Sequence, residues 1–237
     1  YFGTDGFRGE ANVDLTVEHA YKVGRYLGWY YSQNGKAKVV IGKDTRRSSY
    51  MFEYALVSGL TASGADVYLL HVTTTPSVSY VVTSEEFDCG IMISASHNPY
   101  YDNGIKILDG NGHKLDASIE NLIEQYIDGL IDELPYAAKD EIGCVLDYSI
   151  GRNRYIGYLM SIPTRAFRNY RVGLDCANGA SSAIAKSVFD ALGAKTFVIN
   201  SDPNGLNINT NCGSTHIEVL QQYVKENALD IGFAYDG

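Results

Sequence analysis

The sequence predicts an α/β protein of two consecutive domains, each with a mixed, largely parallel sheet flanked by helices. Short β-branched segments alternate with segments whose apolar residues recur at helical spacing along most of the 237 residues, which implies crossover connections and helices on both sheet faces. The length suits two ordinary domains at roughly 100–200 residues each. Finally, 24 glycines are spread over many turns in a chain that is 45% hydrophobic and 20% charged, an ordinary composition for this class.

The elements follow in order. Ala20, Val23, Leu27 and Tyr30 or Tyr31 fall at helical spacing, so a helix is expected over 18–31, with Thr16 as its N-cap and Gly35 as its stop. A strand over 37–41, a helix over 50–63 ending at Gly64, a strand over 66–70 and a helix over 77–83 come next. A strand over 89–93 runs straight into the most informative loop of the chain. Residues 105–108 and the turn Asp109-Gly110-Asn111-Gly112 read as a hairpin returning to Lys114. A helix over 117–130 then places Ile119, Leu122, Ile123, Tyr126 and Ile127 on one side.

Residues 131–150 lack a strong period, so the domains are divided as 1–145 and 146–237. The second is expected to run as helix 152–161, strand 170–175, the turn Cys176-Ala177-Asn178-Gly179, helix 181–192 capped by Ser181, strand 195–198, a polar loop over 201–215, helix 217–227 and strand 229–235. No repeat of sequence links the two halves. The chain stops directly after its last strand, at Asp236-Gly237, so a fragment of a longer protein is expected.

Charge and cysteine usage narrow the functional classes. Nineteen Lys and Arg against 28 Asp and Glu give a formal charge of −9, a field that repels nucleic acid. Local cations can still hold a small phosphorylated ligand, because salt screens the distant net charge. The 19 tyrosines have no accompanying basic stripe and read as packing, not base stacking. No apolar run is long enough for a membrane span. Cys89, Cys144, Cys176 and Cys212 form no C-x-x-C pair and read as reduced thiols. With no basic stretch or apolar signal segment at its start, the chain is expected to be cytoplasmic. Oligomeric state is not legible, and a homodimer is left open.

The run Ile93-Ser94-Ala95-Ser96-His97-Asn98-Pro99, followed by Asp102-Asn103-Gly104-Ile105-Lys106, puts a hydroxyl, an imidazole and an ammonium in one stretch beyond the carboxyl end of a strand. Ligands of such sheets bind there. A hydroxyl can carry a phosphoryl group, a nitrogen base can move its proton and a cation can hold its charge. Arg8, between Gly6-Phe7 and Gly9, is expected in a tight turn that aims its guanidinium at phosphate oxygens. Lys43, Asp44 and Arg46, just past a strand end, are expected to brace the loop. Asp175, Asn178 and Gly179 are expected to be structural, and neither His216 nor the Asn-rich loop 204–211 carries readable chemistry.

Five segments together resemble the α-D-phosphohexomutases: Tyr1-Phe2-Gly3-Thr4-Asp5-Gly6-Phe7-Arg8-Gly9, Gly42-Lys43-Asp44-Thr45-Arg46, the stretch from Ile93 to Lys106, Asp175-Cys176-Ala177-Asn178-Gly179, and Phe233-Ala234-Tyr235-Asp236-Gly237. They occur in the family's order, and the opening segment resembles the glucosamine branch. The resemblance implies the first two of four domains. It implies interconversion of glucosamine 6-phosphate and glucosamine 1-phosphate, a step towards cell-wall amino sugars, through a phosphoserine at Ser96 and a bisphosphorylated sugar. It also assigns His97 and Lys106 to the flanks of the transferred group and Arg8 to the phosphoserine. Ser96 and Asp236 would be ligands of Mg²⁺, with Asp236 the first of three carboxylates in the family's metal loop. With one carboxylate left, this chain is expected to bind the ion weakly or not at all, and on its own to be inactive. The alternatives are a phosphomannomutase or phosphoglucomutase, and a non-catalytic phosphosugar-binding module on the same fold.

Overall fold

A computed structural model describes residues 1–237. A first sheet collects seven strands. In chain order the elements are β1 (Phe2–Gly3), β2 (Gly6–Glu10), α1 (Val17–Tyr31), β3 (Lys38–Lys43), α2 (Arg47–Ala62), β4 (Asp66–Val72), α3 (Thr75–Ser84), β5 (Cys89–Ile93), β6 (Asp102–Asp109), α4 (Ala117–Ile127) and β7 (Val145–Asp147). The strand order is β1-β2-β6-β5-β3-β4-β7. β5, β3, β4 and β7 pair in parallel, and β1, β2 and β6 add antiparallel pairings on one side. The remaining elements are α5 (Ser149–Ser161), β8 (Arg171–Asp175), α6 (Ala185–Ala191), β9 (Lys195–Ile199), α7 (Ile217–Glu226) and β10 (Ile231–Ala234), with a three-stranded parallel sheet ordered β10-β8-β9. No helix is long and apolar enough to cross a membrane.

Alternation along the central strands feeds two cores. Val39, Ile41, Ile91, Ile93, Ile105 and Ile107 join Val23 and Leu27 of α1 and Phe52, Leu56 and Leu60 of α2 in the larger core. Val40, Met92 and Leu108, one residue out of phase, join Val78, Val81 and Val82 of α3 in another. The second sheet has a much smaller core around Val172, Leu174, Cys176 and Ala185.

Thr16 caps α1 as expected: its hydroxyl accepts from the His19 amide at 3.3 Å and the Thr16 amide donates to His19 Nδ1 at 3.2 Å. Several expectations are corrected. Arg8 lies on strand β2 and not in a turn, paired with Gly104 of β6. The hairpin read over 105–114 is present, with Leu108 bridged to Lys114 and the Asp109 amide donating to the His113 carbonyl at 2.8 Å, but its first strand, β6, begins earlier, at Asp102. Leu122 is exposed, while Glu120, Ile123, Tyr126 and Ile127 form the buried side of α4. Ser181 does not cap a helix; its hydroxyl donates to the Cys176 carbonyl at 3.2 Å, within a 3-10 turn that precedes α6. The division after residue 145 falls inside β7, which pairs with β4 of the first sheet.

Close packing of α1 on α2 fixes where α2 begins, and α2 begins at the site. Small residues make the approach possible. A Cβ on Gly24 would lie 2.5 Å from the Leu56 carbonyl oxygen, and one on Gly59 would collide with the Tyr21 carbonyl oxygen. Gly59→Ala gains up to ~1 kcal/mol of helix propensity but forces two backbones apart in a packed core, a strain of about 1–3 kcal/mol. The strain is expected to win, lowering the urea midpoint with an unchanged m-value; an unchanged or raised midpoint would show that the helices separate freely.

Candidate active site

The loop that follows β5 is held by backbone and side-chain contacts to its own neighbours. The Ser94 amide donates to the Gly104 carbonyl at 2.9 Å, and the Asp44 amide donates to the Ile93 carbonyl at 2.9 Å. Ser96 has φ +57°, a left-handed conformation that costs a non-glycine residue about 1 kcal/mol or more. Its amide is taken by the Ser94 hydroxyl at 3.0 Å. Its carbonyl and that of Asn98 accept from one nitrogen of Arg46, Nη2, at 3.0 and 2.6 Å. Arg46 is fully buried and paired with the equally buried Asp44, whose Oδ1 also accepts from the Arg46 amide at 2.9 Å and the Ser49 hydroxyl at 2.8 Å. Bracing is therefore what Asp44 and Arg46 do. Lys43 points elsewhere, into a buried ion pair with Glu53 beneath the Tyr50 ring.

Held this way, the Ser96 hydroxyl donates to the Asp236 carboxylate, with both oxygens at 2.7 Å. His97 Nδ1 stands 3.4 Å from Ser96 Oγ and 3.6 Å from Asp236 Oδ2. Lys106 on β6 lies opposite Met92 of β5. It lines the same cavity as Ser94, Ser96 and Asp236, a space of about 630 Å³ that runs on between α3, α5 and α6 over apolar side chains such as Met92, Leu159 and Ile184. Desolvation lowers the Lys106 pKa, the Arg8 charge lowers it further, and Asp5, Asp236 and Asp44 oppose the shift. Arg8 crosses the backbone of Gly104, where a Cβ would sit 2.9 Å from Arg8 Cγ. One guanidinium nitrogen is 3.6 Å from Asp5, while Nε is buried without a partner. Four of the five candidate residues (Ser96, His97, Lys106 and Asp236) thus share one site. Arg8 borders it through its charge on Lys106.

Ser96 Oγ and Asp236 do not by themselves fit a magnesium ion, which takes near-octahedral oxygen coordination. One carboxylate and one hydroxyl leave most of the six positions to waters or substrate phosphates, and no group of three or more His, Cys, Asp and Glu side chains gathers anywhere in the chain.

One contributor escaped the sequence reading. Asn209, in the loop expected to carry no chemistry, donates from Nδ2 to the Ser96 carbonyl at 2.9 Å and the Asn98 carbonyl at 3.0 Å. Nothing local signals this, since its partners lie over a hundred residues away in sequence. Asp175 is structural: its two oxygens accept from the Ala177 and Gly213 amides, each at 3.0 Å. His216 pairs with Glu218 at 3.2 Å.

The family model described as phosphoglucomutase/phosphomannomutase, alpha/beta/alpha domain I, matches residues 1–132, and the chain belongs to the phosphoglucomutase/phosphomannomutase family. It is 71% identical over 237 residues to the phosphoglucosamine mutase of Lachnoclostridium phytofermentans and 67% identical over 240 residues to that of Lachnospira eligens. These alignments cover 100% of this chain and 53% of each relative, so the chain spans about half the length of the curated relatives it matches. Among solved structures, a phosphoglucomutase/phosphomannomutase family protein from Burkholderia thailandensis superposes with a TM-score of 0.84 at 26% identity, over 100% of this chain and 52% of that one. A putative phosphomannomutase from Thermus thermophilus gives 0.76 at 25% identity, over 94% and 51%.

Two outcomes are expected. Because the folded chain binds the Lys106 proton less tightly than the unfolded chain does, the buried cation costs stability at neutral pH, and that cost disappears as pH rises from the folded pKa towards the ordinary lysine value of 10.5. Lys106→Met is expected to raise the thermal midpoint at pH 7, with the gain shrinking as pH approaches 10.5 and gone above it; a lowered midpoint at pH 7 would contradict this. Calorimetric titration of the chain with Mg²⁺ is expected to give no tight site, and a stoichiometric micromolar one would overturn the coordination argument.

Proposed function

We propose that this chain carries the phosphoryl-transfer machinery of a phosphoglucosamine mutase, an intramolecular phosphotransferase in which Ser96 carries the phosphoryl group. The observation behind this reading is the Ser96 hydroxyl held 2.7 Å from Asp236 with His97 and Lys106 beside it. Names shared by relatives at 71% and 67% identity support the amino-sugar assignment.

The reaction would run in two transfers. A hydroxyl of glucosamine 6-phosphate attacks the phosphoserine phosphorus; the new P–O bond to the sugar forms as the P–O bond to Ser96 breaks. The sugar hydroxyl loses its proton and the serine oxygen regains one. The resulting bisphosphate turns around. Ser96 Oγ, losing its proton, then attacks the phosphorus at the other end; the P–O bond to the sugar's O6 breaks, that oxygen takes up a proton, and the phosphoserine is restored as glucosamine 1-phosphate leaves. His97 and Lys106 are the groups placed to move those protons and to hold charge on the group in flight. Lys106, with its lowered pKa, gives up a proton more readily than an ordinary lysine. Asp236 accepts the serine hydrogen bond and orients Oγ in the dephosphorylated state. Because positioning supplies much of the rate in phosphoryl transfer, and the chain is about half the length of its relatives, the isolated chain is proposed to turn over little or nothing.

In the full-length protein, intact mass is expected to show one phosphoryl group at Ser96 that survives turnover of glucosamine 6-phosphate and exchanges with a labelled hexose 1,6-bisphosphate. Ser96→Ala is expected to lower kcat by at least about 10³-fold, the scale of losing a covalent nucleophile. kcat/KM for glucosamine 6-phosphate is expected to exceed that for mannose and glucose 6-phosphates at least tenfold. Full velocity in Ser96→Ala rejects the mutase reading, and an inverted sugar preference rejects the amino-sugar assignment.

A further inference from the structure

We propose that Asn209 is a positioning residue for the phosphoryl carrier, locking the Ser96 loop to the segment that bears Asp236. The inference rests on the reading of Ser96 as that carrier. The Asn209 carboxamide nitrogen donates to the carbonyls of both Ser96 and Asn98, the same two that Arg46 Nη2 reaches. A carbonyl oxygen has two lone pairs, so each carbonyl accommodates both donors. One clamp therefore comes from the turn between β3 and α2 and the other from the loop between β9 and α7.

The same carboxamide also meets the end of the Asp236 segment. A Cβ built on Gly237 would run into it, 2.5 Å from Nδ2. The Asn209 backbone is itself fixed, with φ +59° and its amide donating to the Ala177 carbonyl at 2.9 Å. Asn209 thus sits between the residue that carries the phosphoryl group and the carboxylate that orients it, as a neutral amide that adds no charge beside a phosphoserine. Releasing it leaves the strained Ser96 backbone held on one side only, free to relax and to carry Oγ away from Asp236. A misplacement of about 1 Å costs up to about 10²-fold in rate, while sugar contacts made elsewhere are untouched.

Two variants of the full-length protein test this. Asn209→Asp keeps the shape and the tolerance of left-handed backbone but replaces the donor with an oxygen facing two carbonyls. Asn209→Gly keeps the backbone freedom and deletes the amide. Both are expected to lower kcat about 10- to 100-fold, with KM for the sugar phosphate within threefold. Single-turnover transfer from a hexose 1,6-bisphosphate onto Ser96 should slow in proportion, with the thermal midpoint nearly unchanged. A folded Asn209→Gly protein with kcat within twofold of wild type overturns the proposal. So does an effect confined to KM, or failure of both variants to fold, which would assign Asn209 to stability. Ser96→Ala run in parallel separates the two readings. Turnover surviving that change overturns the carrier itself, whereas its loss, alongside a wild-type rate in Asn209→Gly, overturns only the clamp.

Discussion

The buried ion pair of Arg46 with Asp44 is the interaction on which the site depends. Neither side chain is exposed, and taking two charges out of water costs several kcal/mol per ion before any gain is counted. An apolar pair of similar volume would fill the space as well. It would not present a guanidinium to the carbonyls of Ser96 and Asn98. The charge of Arg46 makes those hydrogen bonds stronger than neutral ones, and Asp44 fixes the guanidinium by accepting from it, from the Arg46 amide and from Ser49. Ser49 in turn accepts from Asn103, one residue from Gly104 on the neighbouring strand. A left-handed Ser96 survives because groups on β5, β6 and the start of α2 all constrain it.

Electrostatics at the surface of this brace works against the apo state. The chain has a net charge of −9, yet Lys106 lines the cleft with its pKa depressed first by burial and then by the nearby Arg8 charge. Placing two cations together in a half-buried position costs free energy that a neutral cleft would not. An anion bound between them recovers that cost, so a phosphoryl group is favoured by the relief of repulsion as well as by attraction. Asp5 beside Arg8 and Asp236 beside Ser96 offset part of the repulsion meanwhile. The distant acidic surface is screened within about 8–10 Å at ordinary salt and matters little to this balance.

What was legible in the sequence divides along a physical line. Periodicity is local, so α1 with its Thr16 cap, β5, and the Ser96 loop beyond it were readable from nearby residues alone. Roles of Asp44 and Arg46 followed from their position after a strand. Elements stabilised by distant partners were not readable. β1 and β2 are short and glycine-rich, and they become strands because β6 offers an edge; read from its neighbours alone, Arg8 falls in a turn. β7 is exposed and exists through its pairing with β4. Leu122 fits a helical stripe by spacing, yet it is 37% exposed, and the buried Glu120 takes an ion pair from Lys114 instead. Asn209 is the sharpest case: an asparagine in an asparagine-rich loop is distinguished only by where two sheets meet.

That meeting is polar. Thr45 donates to the Asn178 carbonyl at 2.7 Å, the Arg47 amide donates to the Gly205 carbonyl at 3.1 Å, and Asn209 and Asp236 reach the Ser96 loop directly. The second sheet has only a small core of its own, and beside these contacts lies a largely apolar cavity, not packed side chains. Hydrogen bonds are directional, whereas apolar packing tolerates sliding. A seam built from a few directed bonds therefore fixes the orientation of one sheet on the other more sharply than it stabilises their association. For a site whose serine and carboxylate stand on opposite sides of the seam, orientation is the quantity that matters, because 2.7 Å between Ser96 Oγ and Asp236 leaves no slack for rotation.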